Sequence, residues 1–566
     1  MRGFHRTRLA APTLASGICA VLFPVACSDE SATPGSAKTS ENAGAGAAAT
    51  VSAQASTADG PNSGSGPSGT GGAGGMTTTT ASSMGGSTGT GEGGTGGSGG
   101  AGEGGTGVLT CQWDVAYGGT TQNDSVTVND VALDKSDNII AVGSFKGSID
   151  FDGPGGLPPS SSVDTKDDIF IAKYDNKGKL IWRKTFAAAQ IQTATAVAID
   201  ANNNIGVCGY YFGTLNFGGG SLVNPDNMYP DLYAVVFTAA GAHVASARYG
   251  VGLYQTDHCY DIAFAADNDV LITGKFQSKI NFGKGDQSAT GGPGDHDIFL
   301  AKLKPVGPGF TEQFSKIYGS GNALNQEGHA LAVAPNGDIG IAGFSDGPID
   351  FGGGALTPPS ISPTPTQPVV ARLDPSGNQK WAKLLPSGQG GSDNAEGRGI
   401  AFHGNDDLVF GGVYRTQIDT GKSILIGSGA ANDVFVVRYD LGGNPLWGVR
   451  VGDNQSDELT AIAVDQAGFP IFTGKFQGTV FINSKTTLVG KGSFDLSLIR
   501  LAGDDGHGYS ALGVGDAQYQ DATSVAIDSN GNAVLVGNFS GAIDLGGGLK
   551  TAPSSSQAFF IASFGL

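Results

Sequence analysis

Apolar positions in the second part of this chain follow one short figure, written seven times. An apolar–Ala–apolar triplet stands at Val131-Ala132-Leu133, Val197-Ala198-Ile199, Ile262-Ala263-Phe264, Leu331-Ala332-Val333, Ile400-Ala401-Phe402, Ile462-Ala463-Val464 and Val525-Ala526-Ile527. Eleven residues after each Ala an apolar run meets a glycine: Gly143, Gly209, Gly274, Gly343, Gly412, Gly474 and Gly537. Polar turn sequences such as Asp134 to Asn138 and Asp528 to Asn532 separate triplet from run, with the Asx and Gly chemistry that a reversal needs. The figure predicts a strand a carrying the triplet and a strand b ending at the glycine. Beyond it come an Ile-Asp-Phe step (Ile149 to Phe151, Ile349 to Phe351) and a strand c (Asp168 to Lys173, Asp297 to Lys302, Asp433 to Arg438). A second hairpin such as Asp374 to Gly377 then leads to a strand d, which holds Trp182, Trp381 or Trp447 in three units.

Side chains alternate between the faces of a strand, so the triplet puts large aliphatics on one face and Ala on the other every time. Sheets that converge radially need that economy of space on their innermost strands. Four strands in a period of about 65 residues predict propeller blades. The seventh unit ends after its strand c at Phe559 to Leu566, and the folded region opens on Trp113 to Gly118, which matches Trp447 to Gly452. The opening segment therefore supplies the missing strand d and removes an exposed sheet edge. The expected architecture is all-β: a seven-bladed β-propeller of four-stranded antiparallel blades over residues 109–566.

Composition changes the picture before residue 109. Residues 28–108 are Ser, Gly, Thr and Ala with hardly any large apolar side chain, so they are expected to be a disordered tether. The GxSxG and GxGxxG matches at Gly96 to Gly100 and Gly89 to Gly94 lie there without the strand and helix that both motifs need. Arg2, Arg6 and Arg8 precede a mostly apolar stretch, Leu9 to Val25, as in an export signal that is too short and Pro-interrupted to span a membrane. Its end, Val25-Ala26-Cys27, resembles the lipobox of bacterial lipoproteins, which implies lipidation at Cys27. It departs from that motif at Pro24, where the family has Leu, and ordinary signal cleavage nearby is the alternative.

The net charge of −19 leaves no basic face for nucleic acid and disfavours direct adhesion to anionic lipid. After the signal and Cys27, three cysteines remain: Cys111, Cys208 and Cys259. One disulfide among them is open, its pairing unreadable, and Cys208, inside an apolar strand, is expected to be a buried free thiol.

The segments Asp433 to Asp440, Gly442-Gly443, Leu459 to Asp465 and Gly474, with Asp297 to Leu303, resemble the bacterial SBBP-type β-propeller repeat. The resemblance spans 111–566 and implies the fold, while such repeats occur in varied exported proteins and imply no activity. The fourth unit departs most, with Gln367-Pro368 at strand c and a Pro-rich 358–368 segment.

Function is expected on the face shared by the b–c and d–a connections, where the b–c loops are long and variable. Carboxylates recur before strand a at Asp257, Glu327, Glu396, Asp457 with Glu458, and Asp521. Around a channel mouth they could hold Ca²⁺ through oxygen ligands; hydrogen bonding within their own loops is the favoured account. The Asp175…Gly178…Trp182, Asp374…Gly377…Trp381 and Asp440…Gly443…Trp447 spacings resemble the tryptophan docking motif of quinoprotein dehydrogenases, although a turn plus an outer-strand aromatic explains the same residues. No nucleophile–base pair or opposed carboxylate pair is singled out. The reading is a monomeric, exported, lipid-anchored envelope protein, cofactor-free and non-catalytic, whose propeller binds a protein or glycan partner. The alternatives are an extracellular hydrolase or lyase and a structural envelope component.

Overall fold

The computed structural model describes residues 109–566 apart from 154–155, 157–159, 163, 293, 322–323, 359–365, 389–393, 430, 483–485 and 553–556. The expected signal, Cys27 and the 28–108 tether lie outside the described residues, as does most of the Pro-rich 358–368 segment. What is described is a seven-bladed β-propeller. The innermost strands a run Ser125–Leu133, Gln192–Ile199, His258–Phe264, Gln326–Val333, Glu396–His403, Asp457–Val464 and Gln520–Ile527. Each opens an antiparallel sheet in the order a-b-c-d.

The large–small alternation sets how blades meet. Each triplet alanine lies in one core cluster with the large triplet residues of the next blade: Ala132 with Val197, Ala198 with Ile262, Ala263 with Leu331, and Ala332 with Ile400 and Phe402. The series continues with Ala401 beside Ile462, Ala463 beside Val525 and, across the seam, Ala526 beside Val131. Every wedge between two blades is thus filled by bulk from one side and receives a methyl from the other, which gives close packing without overfilling.

The marker glycines do not end strand b; it continues past each of them, for example to Lys146 and to Tyr211. Their role is local. Strand a carries a β-bulge at the same place in all seven blades, as between Val128 and Asp130 or Leu459 and Ala461. A Cβ on the facing glycine would lie 1.8 to 2.1 Å from a strand a carbonyl oxygen. Only glycine permits that approach.

The seam closes as expected. Thr110–Gly119 pairs antiparallel with Ala558–Gly565, from Thr110↔Gly565 to Gly118↔Ala558, and completes blade 7. Its end also pairs with blade 1, Gly118↔Asp150 and Gly119↔Ile149. Tyr117, Phe151, Phe170, Tyr174 and Phe559 stack across the joint at 5.1 to 6.2 Å.

The b–c connections differ from the open face loops that their lengths suggested. Six of them contain a two-stranded hairpin and the blade 4 connection holds an Ile349↔Leu356 bridge. Their inward anchors are buried, such as Leu215 with Phe217 and Ile280 with Phe282. Phe217 packs on Phe186, Phe282 on Tyr249 and Phe351 on Tyr318, outer-strand residues of the preceding blade. These connections therefore clamp the outer wedge between blades.

The tryptophans also join blades. Trp182 donates its indole N–H to Ala239 O, Trp381 to Leu441 O and Trp447 to Gly503 O, each a carbonyl in the c–d turn of the next blade. Gln367, the odd residue of the fourth unit, does the work of the aspartate it replaces: its Oε1 accepts the Ser387 N–H, as Asp168 accepts that of Ala188.

We expect Trp447→Ala to lower unfolding free energy by about 3–5 kcal/mol, and Trp447→Phe, which keeps the ring and loses the N–H, by about 1–2 kcal/mol, measured by urea denaturation. Removal of residues 109–119 exposes the edge of Ala558–Gly565 and is expected to give a chain that self-associates on size exclusion.

Candidate functional site

One face of the ring is built by the d–a connections and the roots of the b–c connections. It is stitched blade to blade by the main chain. Gln192 donates its N–H to Asp167 O (2.8 Å), Asp257 to Pro230 O (3.0 Å), Asp457 to Asn432 O (2.8 Å) and Gln520 to Phe494 O (2.8 Å). Val126 N–H to Gln557 O makes the same stitch at the seam.

The six carboxylates expected to form an acidic ring divide into two sets. Glu327, Glu396, Glu458 and Asp521 stand two residues before the strand a bulge; Asp257 and Asp457 stand three before it. A one-residue offset reverses the face of a strand. The first set lies along the inner strands, yet three of its four carboxylates are matched by cations and the fourth, Asp521, by hydrogen bonds. Lys275 pairs with Glu327 at 2.8 Å, Arg398 bridges Glu396 (3.2 Å) and Glu458 (3.0 Å), and Lys475 reaches Glu458 at 3.5 Å and Tyr519 Oη at 3.2 Å. Tyr519 donates to Asp521 at 3.0 Å. Burial works to raise the Glu327 carboxyl, but His329 and Lys275 outweigh it and hold it well below the usual carboxylate range. The belt is a charge-compensated network, and Ca²⁺ would have to displace three cations to use it.

Asp257 and Asp457 are instead buried beneath the d–a turns and face aspartates of the preceding blade, Asp231 and Asp433, across Gly250 and Gly452. Arg248 pairs with Asp231, and Arg450 with Asp433 at 2.8 Å. The second carboxyl of each pair keeps a buried oxygen with no partner, Oδ2 of Asp257 and Oδ1 of Asp457. Burial, reinforced by Asp453 and Asp433, pushes the Asp457 carboxyl up to about 8. The same effects push Asp257 well above its ordinary range, with Asp231 as the neighbouring charge. At corresponding positions stand Gln192, Gln326 and Gln520, so a protonated Asp457 acts there as a hydrogen-bonding neutral group.

Cys208 is not a free thiol. It is joined to Cys259 in a disulfide with Cα atoms 5.9 Å apart, tying strand b of blade 2 to strand a of blade 3, and Cys111 is the free cysteine among the described residues. Three cysteines allow three pairings, and only the ring geometry that sets Cys208 against the next blade selects one.

On the same face, two short loops bring together Met228, Tyr229, Leu253 and Tyr254, a cluster that the repeat pattern did not single out. Met228, Leu253 and Tyr254 are 75%, 51% and 67% exposed, and Tyr229 and Tyr254 meet edge to face at 5.9 Å. Asp226, itself buried, accepts the N–H groups of Met228 (2.8 Å) and Tyr254 (2.7 Å) and so locks both loops. Tyr254 sits at φ 64°, a left-handed conformation that costs a bulky residue about 1–2 kcal/mol. Strain of this kind, held in place by surrounding contacts, gathers at functional sites.

With this geometry the molecule belongs to the class of β-propeller repeat proteins. No family model matches the chain. It is 24% identical over 418 residues to the uncharacterized WD repeat-containing protein L264 of Acanthamoeba polyphaga mimivirus, an alignment covering 61% of this chain and 29% of that protein. It is 28% identical over 181 residues to the regulatory protein FlaEY of Caulobacter vibrioides, covering 30% of this chain and 18% of that one. The chain thus spans less than a third of the length of these curated relatives. Among solved structures, a protein of unknown function from Dyadobacter fermentans aligns with a TM-score of 0.34 at 13% identity, over 81% of this chain and 99% of that one.

The buried aspartate yields a signed pH effect. The folded chain holds the Asp457 proton more tightly than the unfolded chain, so stability falls as pH rises from about 4 through about 8. Asp457→Asn is expected to melt at a higher temperature than wild type at pH 9 and at nearly the same temperature at pH 5, measured by calorimetry.

Proposed function

We propose that this chain is an exported, lipid-anchored cell-envelope protein that presents a monomeric propeller as a binding scaffold, engaging a protein or glycan partner through the face that carries Tyr254. The cluster of Met228, Tyr229, Leu253 and Tyr254 carries the reading. Exposed Tyr and Met concentrate at recognition surfaces, and here a strained backbone and a buried aspartate hold them out from the fold. The Cys208–Cys259 disulfide supports export, since such bonds persist in oxidising compartments. The repeat wording in blades 3, 5 and 6 supports descent from SBBP-type exported propellers, and the WD-repeat name of the mimiviral relative supports an interaction scaffold. In this reading residues 1–27 are the signal, Cys27 is acylated and 28–108 is the tether. No catalytic step is assigned.

A photo-crosslinking residue placed at Met228 in the producing cell is expected to give a discrete adduct, with a protein or with envelope polysaccharide. The same residue at Ser136, exposed on the opposite face, is expected to give none. Tyr254→Ala is expected to remove the Met228 adduct while leaving the melting temperature within a few degrees. Equal labelling from both positions would refute the face assignment. Cys27→Ser is expected to move the protein out of the membrane fraction, and unchanged fractionation sinks the anchor.

A further inference from the structure

The junctions between neighbouring blades repeat one layout closely enough to serve as controls for one another. At the start of strand c an aspartate faces the glycine that follows strand d, and a residue from the next strand a looks at it across that glycine. Between blades 2 and 3 the set is Asp231, Gly250 and Asp257; between blades 5 and 6 it is Asp433, Gly452 and Asp457. Both are acid pairs, and each has an arginine, Arg248 or Arg450, on strand d two residues before the glycine. Between blades 6 and 7 there is one acid and an amide: a Cβ on Gly515 would lie 2.0 Å from Asp495 Oδ1 and 2.7 Å from Gln520 Oε1.

The junction between blades 3 and 4 breaks the rule. It has the aspartate, Asp297, the glycine, Gly319, whose Cβ would fall 2.0 Å from Asp297 Oδ1, and, at the strand a position that Gln520 holds in blade 7, the amide Gln326. It also has a second carboxyl, Asp295, within hydrogen-bonding reach of Asp297. Yet the strand d position that carries Arg248 and Arg450 elsewhere is Ile317, which pairs with Phe299 as Arg248 pairs with Tyr233 and Arg450 with Phe435. No basic side chain pairs with Asp295 or Asp297 among the described residues.

Oxygen atoms are left over as a result. Asp297 Oδ1 and Gln326 Oε1 are buried with no hydrogen-bond partner, the Asp295 oxygens meet only Asp297 and the backbone N–H groups of Gly291 and His296, and all three residues are fully buried. The remaining polar groups are already committed. Thr290 donates its N–H to Asp297 Oδ2 (2.7 Å), its single hydroxyl proton is shared between that oxygen (3.0 Å) and Ser320 O (2.9 Å), and Gln326 spends its Nε2 on Ser320 Oγ at 3.3 Å. Thr290 and Ser320 are themselves joined, Oγ1 to O at 2.9 Å, so these contacts run as one chain of neighbours from Asp297 to Gln326. Two adjacent buried carboxylates cannot both stay charged without a counter-charge.

We propose that the junction between blades 3 and 4 is a divalent-cation site of the Ca²⁺ type, held by the carboxylates of Asp295 and Asp297 and the amide oxygen of Gln326. Hard oxygen donors of both charged and neutral kinds are what Ca²⁺ takes, with water completing the shell. The ion does at this junction what arginine does at the other two acid pairs. It also relocates the metal from the inner belt, whose carboxylates are already paired, to a blade seam.

Calorimetric titration of the metal-stripped mature chain with CaCl₂ at pH 7.5, alongside melting curves in CaCl₂, MgCl₂ and EDTA, tests the site. Wild type is expected to bind one Ca²⁺ that Asp295→Asn weakens at least tenfold, and to melt several degrees higher in Ca²⁺ than in EDTA. Ile317→Arg, which restores the arginine of the other junctions, is expected to melt at the same temperature in both. A Ca²⁺ response that survives both Asp295→Asn and Asp297→Asn places the ion elsewhere and overturns the proposal. So does a wild type indifferent to Ca²⁺ whose stability falls between pH 5 and 8, because the pair then shares a proton.

Discussion

Seven sheets that meet around one axis leave almost no width for side chains where they converge, and the inner strands answer with alanine on one face and a glycine behind each bulge. The bulge brings a strand a carbonyl to within 1.8–2.1 Å of where a Cβ on strand b would stand. The alanine admits the Val, Ile or Leu of the neighbouring blade. Everything outside that radius has freedom to vary. The wedges widen outward, and larger devices fill them: inner carboxylate–cation pairs, then the aromatic anchors of the b–c hairpins, and the docked tryptophans at the outermost strand.

This gradient explains what could be read from the chain. Blade number, strand order and the closing strand were legible because they rest on local signals, an eleven-residue spacing and period-two alternation, repeated until chance is excluded. The candidate site was less legible, for a reason visible in single residues. Asp257 and Glu327 look equivalent in a repeat alignment, yet one residue of offset from the bulge turns the first under its loop and the second toward the inner belt. The Cys208–Cys259 bond and the docking of Trp182 on Ala239 join residues of different blades, so no pattern within one repeat reports them. The b–c segments read as variable loops because their anchors, in blades 1 to 4 an Ile or Leu and a Phe two residues on, show their meaning only against the strand d of the preceding blade.

The places where the repeat is broken are also those where chemistry collects. Asp226 with Tyr254, the arginine-matched acid pairs at two seams and the unmatched pair at a third all sit at blade junctions on one face, while the opposite face keeps regular Asx turns such as Asp134 with Asn138 and Asp528 with Asn532. A repeat fold makes such departures easy to interpret, since the other blades supply the unperturbed geometry at the same position. It also separates stability from recognition: the wedge contacts recur around the ring, and a change on one loop leaves six other blades intact.

The seam has a consequence for how the chain reaches its final form. Tyr117 is made some 440 residues before Phe559, its partner, so the earliest described β segment, apart from its end that meets blade 1, waits without its main partner through synthesis of all the others. Six blades can assemble in order as they emerge, each from contacts near in sequence, while the seventh is assembled from both extremities at the last step. Long-range pairing of this kind slows folding, and until it occurs the waiting segment is open to pairing with the wrong partner, including the same edge of a neighbouring molecule.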